Sequence, residues 1–275
     1  MRTARRTHRR HRLVALWSAL AVAVLVACFA PRAAAVVDGL VDPNTATSPW
    51  AGVGSVSTAR GGTYSGVVIA ARFVLTAAHV VAGTAPETVH FNVNRGGDLV
   101  ARLPVAAVHV HPAYHGFSRG RDALVHDDIA VLQLAEPVPF GTPGYPLANR
   151  APRPGERLVL VGYGAGGPSI PPNAAVKRVG SNVVEQVYQD LGGQGRVELY
   201  RFAYHPVPGG SPLESTLAGG DSGSPAFHRD GNGWTIAGIN TYVYAAASGG
   251  SGGGGVTVAA YREWVLSIVA AGGKE

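Results

Sequence analysis

The sequence predicts an all-β protein closed by one helix, and three observations point there. Short runs rich in Val and Ile recur along the chain, at 65–75, 105–110, 129–134, 157–162 and 234–244. Gly, Pro, Asn and Asp stand between them, and 38 glycines and 19 prolines supply turns throughout. Helical spacing appears only near the end, where residues 259–271 place Trp264, Val265, Ile268 and Val269 near one face. Many short strands with turn-rich connections predict a sandwich or barrels.

Ahead of this region, residues 1–12 are arginine-rich, residues 13–30 are almost wholly apolar, and Ala33, Ala34 and Ala35 follow. A basic start, an apolar core and a small-residue end make a secretory signal peptide over 1–35. A retained membrane anchor is the competing reading, because the apolar run is near the lower limit for spanning a bilayer. Leu25-Val26-Ala27-Cys28 also resembles a bacterial lipobox, which would put a lipid on Cys28 at the cell surface instead. Cys28 is the only cysteine, so after either cleavage the exported domain is held by its core alone. Cleavage after Ala35 leaves a domain over 36–275 with no stable membrane span, long enough for a substantial core.

The net charge of +6 belongs to the leader. Seven arginines and no acids lie in 1–35, so the exported part carries −1. Global charge therefore gives no argument for nucleic acid as a partner. Pro-rich residues 143–156 separate two halves, with the second running from 157 to the C-terminal helix. The segment Ser248–Gly255, SGGSGGGG, is expected to form a long loop inside that second half.

The chemistry centres on Gly220-Asp221-Ser222-Gly223-Ser224-Pro225. A serine flanked by glycine has open space around its hydroxyl. It is a weak nucleophile until a neighbouring base takes its proton. His79 follows the strand-like Arg72–Thr76 and two small alanines, which leave room for an imidazole at a strand end. Asp127 and Asp128 stand at the mouth of an apolar strand, where burying an acid is costly unless a donor such as an imidazole N–H meets it.

These blocks, Thr76–His79, Asp128–Leu134 and Gly220–Pro225, resemble the three signature blocks of the trypsin/chymotrypsin-like serine endopeptidases. The order His, Asp, Ser and the gaps of 49 and 94 residues are similar to that family's. Val36-Val37-Asp38-Gly39, His111-Pro112-Ala113-Tyr114, Gly162-Tyr163-Gly164, Ala237-Gly238-Ile239 and Tyr261-x-x-Trp264-Val265 extend the likeness over nearly all of the exported chain.

The resemblance implies two packed six-stranded antiparallel barrels, the first over about 36–142 and the second over about 157–275, with a short C-terminal helix. It implies a catalytic triad of His79, Asp128 and Ser222, with Asp128 rather than Asp127 because the family's acid directly precedes the apolar strand. Backbone N–H groups of Gly220 and Ser222 would form the oxyanion hole. Thr216 would stand at the pocket base, where members cutting after Arg or Lys carry an acid. Thr241, Tyr242 and Val243 would line the wall, with Val243 in place of a glycine. This implies preference for small or medium uncharged residues, with Glu214 as the one nearby acid. A newly freed ammonium at Val36 would pair with Asp221, so that signal removal doubles as activation. The implied protein is a secreted, monomeric bacterial enzyme acting on peptide or protein substrates without a cofactor. A non-catalytic module on the same fold is the alternative.

Two other chemistries fare worse. An α/β-hydrolase elbow needs Gly-x-Ser-x-Gly before a helix, whereas Ser224 stands at the second glycine position and no helix follows. His109, His111, His115, His126 and Asp127 offer metal-ligating types, but an extended strand and loop leave their geometry unspecified. A solvated, His-rich loop is the expectation, with no metal.

Overall fold

The structure is a computed structural model that describes residues 36–116, 126–165, 173–190, 197–206, 211–231, 233–245 and 250–273. The leader expected over 1–35 lies outside the described residues. The chain is nearly all β, with a short C-terminal helix.

Six strands close the first barrel: β2 (Val53–Ser57), β3 (Thr63–Ala70), β4 (Phe73–Thr76), β5 (His90–Arg95), β6 (Asp98–Val110) and β7 (Ala130–Leu134). Their order around the barrel is β2-β3-β4-β7-β6-β5. Val74 and Leu132 share one face of its strands and Val67, Leu75 and Val131 the other, and these residues, with Val56 and Phe91, are fully buried. The apolar run over 65–75 is not one strand but a hairpin. Ala71 and Arg72 turn between β3 and β4, and Val67 pairs with Leu75.

The second half is an eight-stranded antiparallel sheet in the order β1-β9-β8-β12-β13-β14-β11-β10. Its strands are β1 (Leu40–Val41), β8 (Arg157–Gly162), β9 (Arg178–Val183), β10 (Gln186–Asp190), β11 (Val197–Tyr204), β12 (Pro225–Asp230), β13 (Gly233–Ala245) and β14 (Ser251–Thr257). Six of these follow the barrel expectation, and β1 and β10 are added at the edges. The sheet curls until β9 and β11 meet, where the Asn182 side-chain amide donates to the Ala203 carbonyl at 2.8 Å. The strand β1 pairs with β9 although it was expected in the first barrel. The N-terminal segment therefore begins in the second half and crosses to the first.

The glycine-rich stretch expected to be a loop is the strand β14 from Ser251 onward, lying between β13 and β11. The reason lies in its neighbours. Tyr242 and Tyr244 on β13 lie across the glycines and donate their hydroxyls to the carbonyls of Tyr200 and Phe202 on β11, at 3.1 and 3.2 Å. A Cβ at Gly254 would stand 2.2 Å from the Tyr200 oxygen and 2.5 Å from the Tyr242 hydroxyl. Glycine here leaves a channel for aromatic rings, and the rings supply the packing that glycine lacks.

Aromatic residues join the halves. Phe227 of β12 packs against Trp50 ahead of β2 and against Tyr145 of the crossover, and Trp234 of β13 also meets Trp50. Beside them the fully buried Lys177 donates to Asn44 Oδ1 and the Trp50 carbonyl, both at 2.7 Å, with Asp42 at 3.8 Å. The helix α1 (Ala78–Val81) is a single turn, and α2 (Val258–Gly272) is the C-terminal helix predicted from its periodicity.

Candidate functional site

Strand register brings the first two site residues together. Thr76 at the end of β4 pairs with Ala130 at the start of β7. His79 lies three residues past that end and Asp128 two residues before that start, so both emerge at the same rim of the barrel. The α1 turn holds His79, whose backbone N–H donates to Asp128 Oδ1 at 2.8 Å while its Nδ1 lies 2.6 Å from Oδ2. Asp128 is fully buried, and both carboxylate oxygens are met from one residue. This fixes the imidazole with Nδ1 toward the acid and Nε2 away from it.

Asp127, the competing acid, turns the other way. Its left-handed φ of 51°, which Asp tolerates better than most residues, directs it toward α2. There Tyr261 donates to its Oδ1 at 3.2 Å, and His111 Nδ1 lies 3.8 Å away. His111 is packed edge-on against Tyr261 and Trp264 at about 5 Å, so this histidine departs from the expectation of a solvated loop, whereas His115 is exposed. Burial holds its pKa below the ordinary value, opposed by Asp127. No metal-binding cluster of three or more His, Cys, Asp or Glu occurs among the described residues.

Ser222 sits on the loop ahead of β12, facing the same cleft as His79. The loop is held from the first barrel by one residue that the sequence reading missed, Ser65 of β3. Its backbone N–H donates to the Ser222 carbonyl and its hydroxyl to the Gly220 carbonyl, both at 3.0 Å. The same hydroxyl accepts from the Tyr163 N–H at 3.0 Å, and the Ser65 carbonyl accepts from Thr76 at 2.8 Å. Tying down the carbonyls on either side of Asp221 fixes the peptide planes of the loop. Gly223, at φ 81°, permits this approach: a Cβ there would lie 2.1 Å from Thr76 Oγ1 and 2.4 Å from the Ser65 carbonyl. A lone serine in a Val-rich strand carries no periodic signal, so only its polarity at a buried position could have marked Ser65.

Asp221 faces away from the bulk of the cleft into the second sheet. The N–H groups of Gly164 and Ala218 each donate to it at 2.9 Å, and the Val36 N–H donates as well. Burial still pushes its carboxyl up to about 6 against those bonds. Val36 is fully buried beside it, and the next residue, Val37, bridges to Thr216. Asp38 takes the left-handed φ of 67° that glycine would favour, and Tyr204 donates to its carboxylate at 2.7 Å.

The cleft of ≈ 270 Å³ is at the small end of ligand pockets. Its lining includes His79, Leu217, Ser222, Thr241, Tyr242 and Val243. Thr216 is not among these residues, because it is drawn to Val37, and its neighbour Leu217 takes the wall instead. Glu214 is also elsewhere, bonded to the His205 ring at 2.6 Å. Val243 stands 57% exposed at the rim, and the Thr241 hydroxyl is buried without a hydrogen-bond partner among the described residues.

A closed barrel and a curled sheet with a cleft at their junction define the class as trypsin-like. The chain belongs to the trypsin family, whose model, described as Trypsin, matches residues 37–265. It is similar to the vitellin-degrading protease of Bombyx mori, with 28% identity over 215 residues covering 73% of this chain and 74% of that protein. It is similar to Trypsin iota of Drosophila melanogaster, with 26% identity over 218 residues covering 75% and 78%. Among solved structures, the scabies mite inactivated protease paralogue S-D1 matches with a TM-score of 0.63 at 18% identity, over 85% of this chain and 97% of that chain. That likeness speaks for the fold alone. No helix among the described residues is long and apolar enough to cross a membrane.

Proposed function

We propose that the protein is a secreted serine endopeptidase that hydrolyses peptide bonds through His79, Asp128 and Ser222. The observation that carries this reading is the Asp128 carboxylate gripping the His79 ring at 2.6 Å while that ring shares a cleft with Ser222. In the proposed reaction Ser222 Oγ attacks the scissile carbonyl and His79 takes its proton. The proton then passes to the leaving amine, and water cleaves the acyl-enzyme by the same route in reverse. Asp128 orients the imidazole and stabilises its cation. The N–H groups of Gly220 and Ser222 meet the developing oxyanion, where one donor is typically worth about 3 kcal/mol.

The cleft supports a substrate side chain that is small or medium and uncharged. Leu217, Ala218, Thr241 and Val243 offer no free carboxylate, and Asp221 is already taken up by backbone N–H groups. Cleavage after Ala35 would place an ammonium at the point where the Val36 N–H now meets Asp221. Release by a signal peptidase from a bacterial leader fits the arginine-rich start and the cysteine-free exported chain; lipidation at Cys28 is the anchored variant of the same enzyme.

Reaction with a fluorophosphonate probe, followed by mass mapping, tests the reading. Labelling at Ser222 that vanishes in His79→Ala is the expected result. Absence of labelling in a folded chain would leave a non-catalytic module on the trypsin fold.

A further inference from the structure

The pocket that holds Val36 and Asp221 contains a cation of its own. In the ladder between β8 and β9, Arg178 is paired directly with Gly162. Residues directly opposite in an antiparallel pair project to the same face of the sheet, with Cβ atoms about 5 Å apart. A Cβ on Gly162 would stand 2.2 Å from Asp221 Oδ1, so that face looks straight at the carboxylate. Two residues along the same strand and on the same face, a Cβ on Gly180 would stand 2.9 Å from Val36 Cγ1. Arg178 therefore projects into the space that receives Val36. It is only 8% exposed, and its Nε is buried without a hydrogen-bond partner among the described residues.

We propose that Arg178 is a positioning residue, an internal countercharge to Asp221 that keeps the Gly220–Ser222 loop in place whether or not a free ammonium stands at Val36. A guanidinium buried by a fold needs an anion nearby, and a carboxylate needs the reverse. The two groups answer each other: burial holds the Arg178 guanidinium below its ordinary value and Asp221 raises it, while Arg178 helps to lower the Asp221 carboxyl. The role of the Val36 ammonium narrows from switch to reinforcement. A chain that keeps residues ahead of Val36, as a lipid-anchored form would, then retains an ordered oxyanion loop. This inference rests on the peptidase reading for its consequence, but not for its geometry.

The test uses two chains whose N-termini are verified by intact mass, one starting at Val36 and one carrying residues 29–35 ahead of it. With Arg178 present, both are expected to label at Ser222 with fluorophosphonate at rates within about 10-fold, because one countercharge is already in place. Arg178→Gln is expected to slow labelling of the extended chain by about 100-fold and of the Val36 chain by no more than about 10-fold, and in turnover of a peptide amide the same loss falls on kcat rather than KM. Arg178→Lys restores most of the loss. Equal losses in both chains, or a silent extended chain with Arg178 intact, overturns the inference. A second readout is independent of catalysis: in a Ser222→Ala background, the drop in unfolding midpoint caused by Arg178→Gln disappears when Asp221 is already Asn. If neither chain labels but this coupling persists, the peptidase reading fails and the countercharge stands. If both label and the coupling is absent, the countercharge fails alone.

Discussion

The two halves of the molecule hold their share of the site by different means. In the first barrel, strand register alone delivers His79 and Asp128 to one rim, because Thr76 pairs with Ala130 and each site residue lies a short step beyond that pair. In the second half, Ser222 rides a loop whose position is borrowed from outside, from Ser65 across the junction and from the N–H groups around Asp221. A closed barrel can set geometry by backbone pairing. A loop at the edge of a curled sheet needs buried polar contacts, each of which is costly to break. The halves should therefore fail differently when perturbed.

The largest effect expected is common to both. His79→Ala and Ser222→Ala each lower kcat by about 10⁴-fold or more while the far-ultraviolet circular dichroism stays unchanged, since members of such a unit act together. A much smaller loss in either variant would separate the halves functionally.

The seam between the halves comes next. Burial pulls the Lys177 ammonium down to about 8 from its ordinary 10.5, with Asp42 opposing. Between those values the unfolded chain binds the proton that the folded chain has released, so stability rises with pH across that window. Unfolding free energies from urea melts of wild type and Lys177→Met should shift relative to each other by about 3 kcal/mol between pH 8 and 10.5, in favour of the wild type at the upper end. Parallel curves would show that Lys177 is not buried as described.

Ser65→Ala probes the borrowed contacts directly. It strips a partner from both the Gly220 carbonyl and the Tyr163 N–H, so it should cost about 1–3 kcal/mol of stability and lower kcat more than it raises KM. An activity change no larger than that of a neutral surface variant would mean that the loop holds itself.

The smallest effect lies within the second sheet. Tyr244→Phe removes only the hydroxyl that crosses β14 to the Phe202 carbonyl, a bond worth about 1 kcal/mol, and the ring stays to cover the glycines. Replacing Gly254 by Ala in the same strand should cost more than the tyrosine change, because the added methyl meets backbone.

What could be read from the sequence follows the same division. His79 and Asp128 stand beside dense apolar runs, and those runs fix both the strands and their ends. Ser222 was marked by its flanking glycines. The strand β14 was not legible because its composition matches that of a linker, and its order comes from Tyr242 and Tyr244 on another strand. Their alternate spacing just ahead of the glycines was the available hint. Ser65 and Arg178 were missed because their roles arise from burial against partners more than a dozen residues away. The placement of β1 in the second sheet depends on where the N-terminal segment crosses, which local pattern does not encode.

The central claim is that barrel register hands the imidazole to Asp128 and turns Asp127 away to Tyr261. The most direct measurement is kcat/KM on one peptide amide for Asp128→Asn and Asp127→Asn side by side. A fall of about 10⁴-fold for Asp128→Asn, with Asp127→Asn within about 10-fold of wild type, is the predicted result. The reverse order of damage would contradict it.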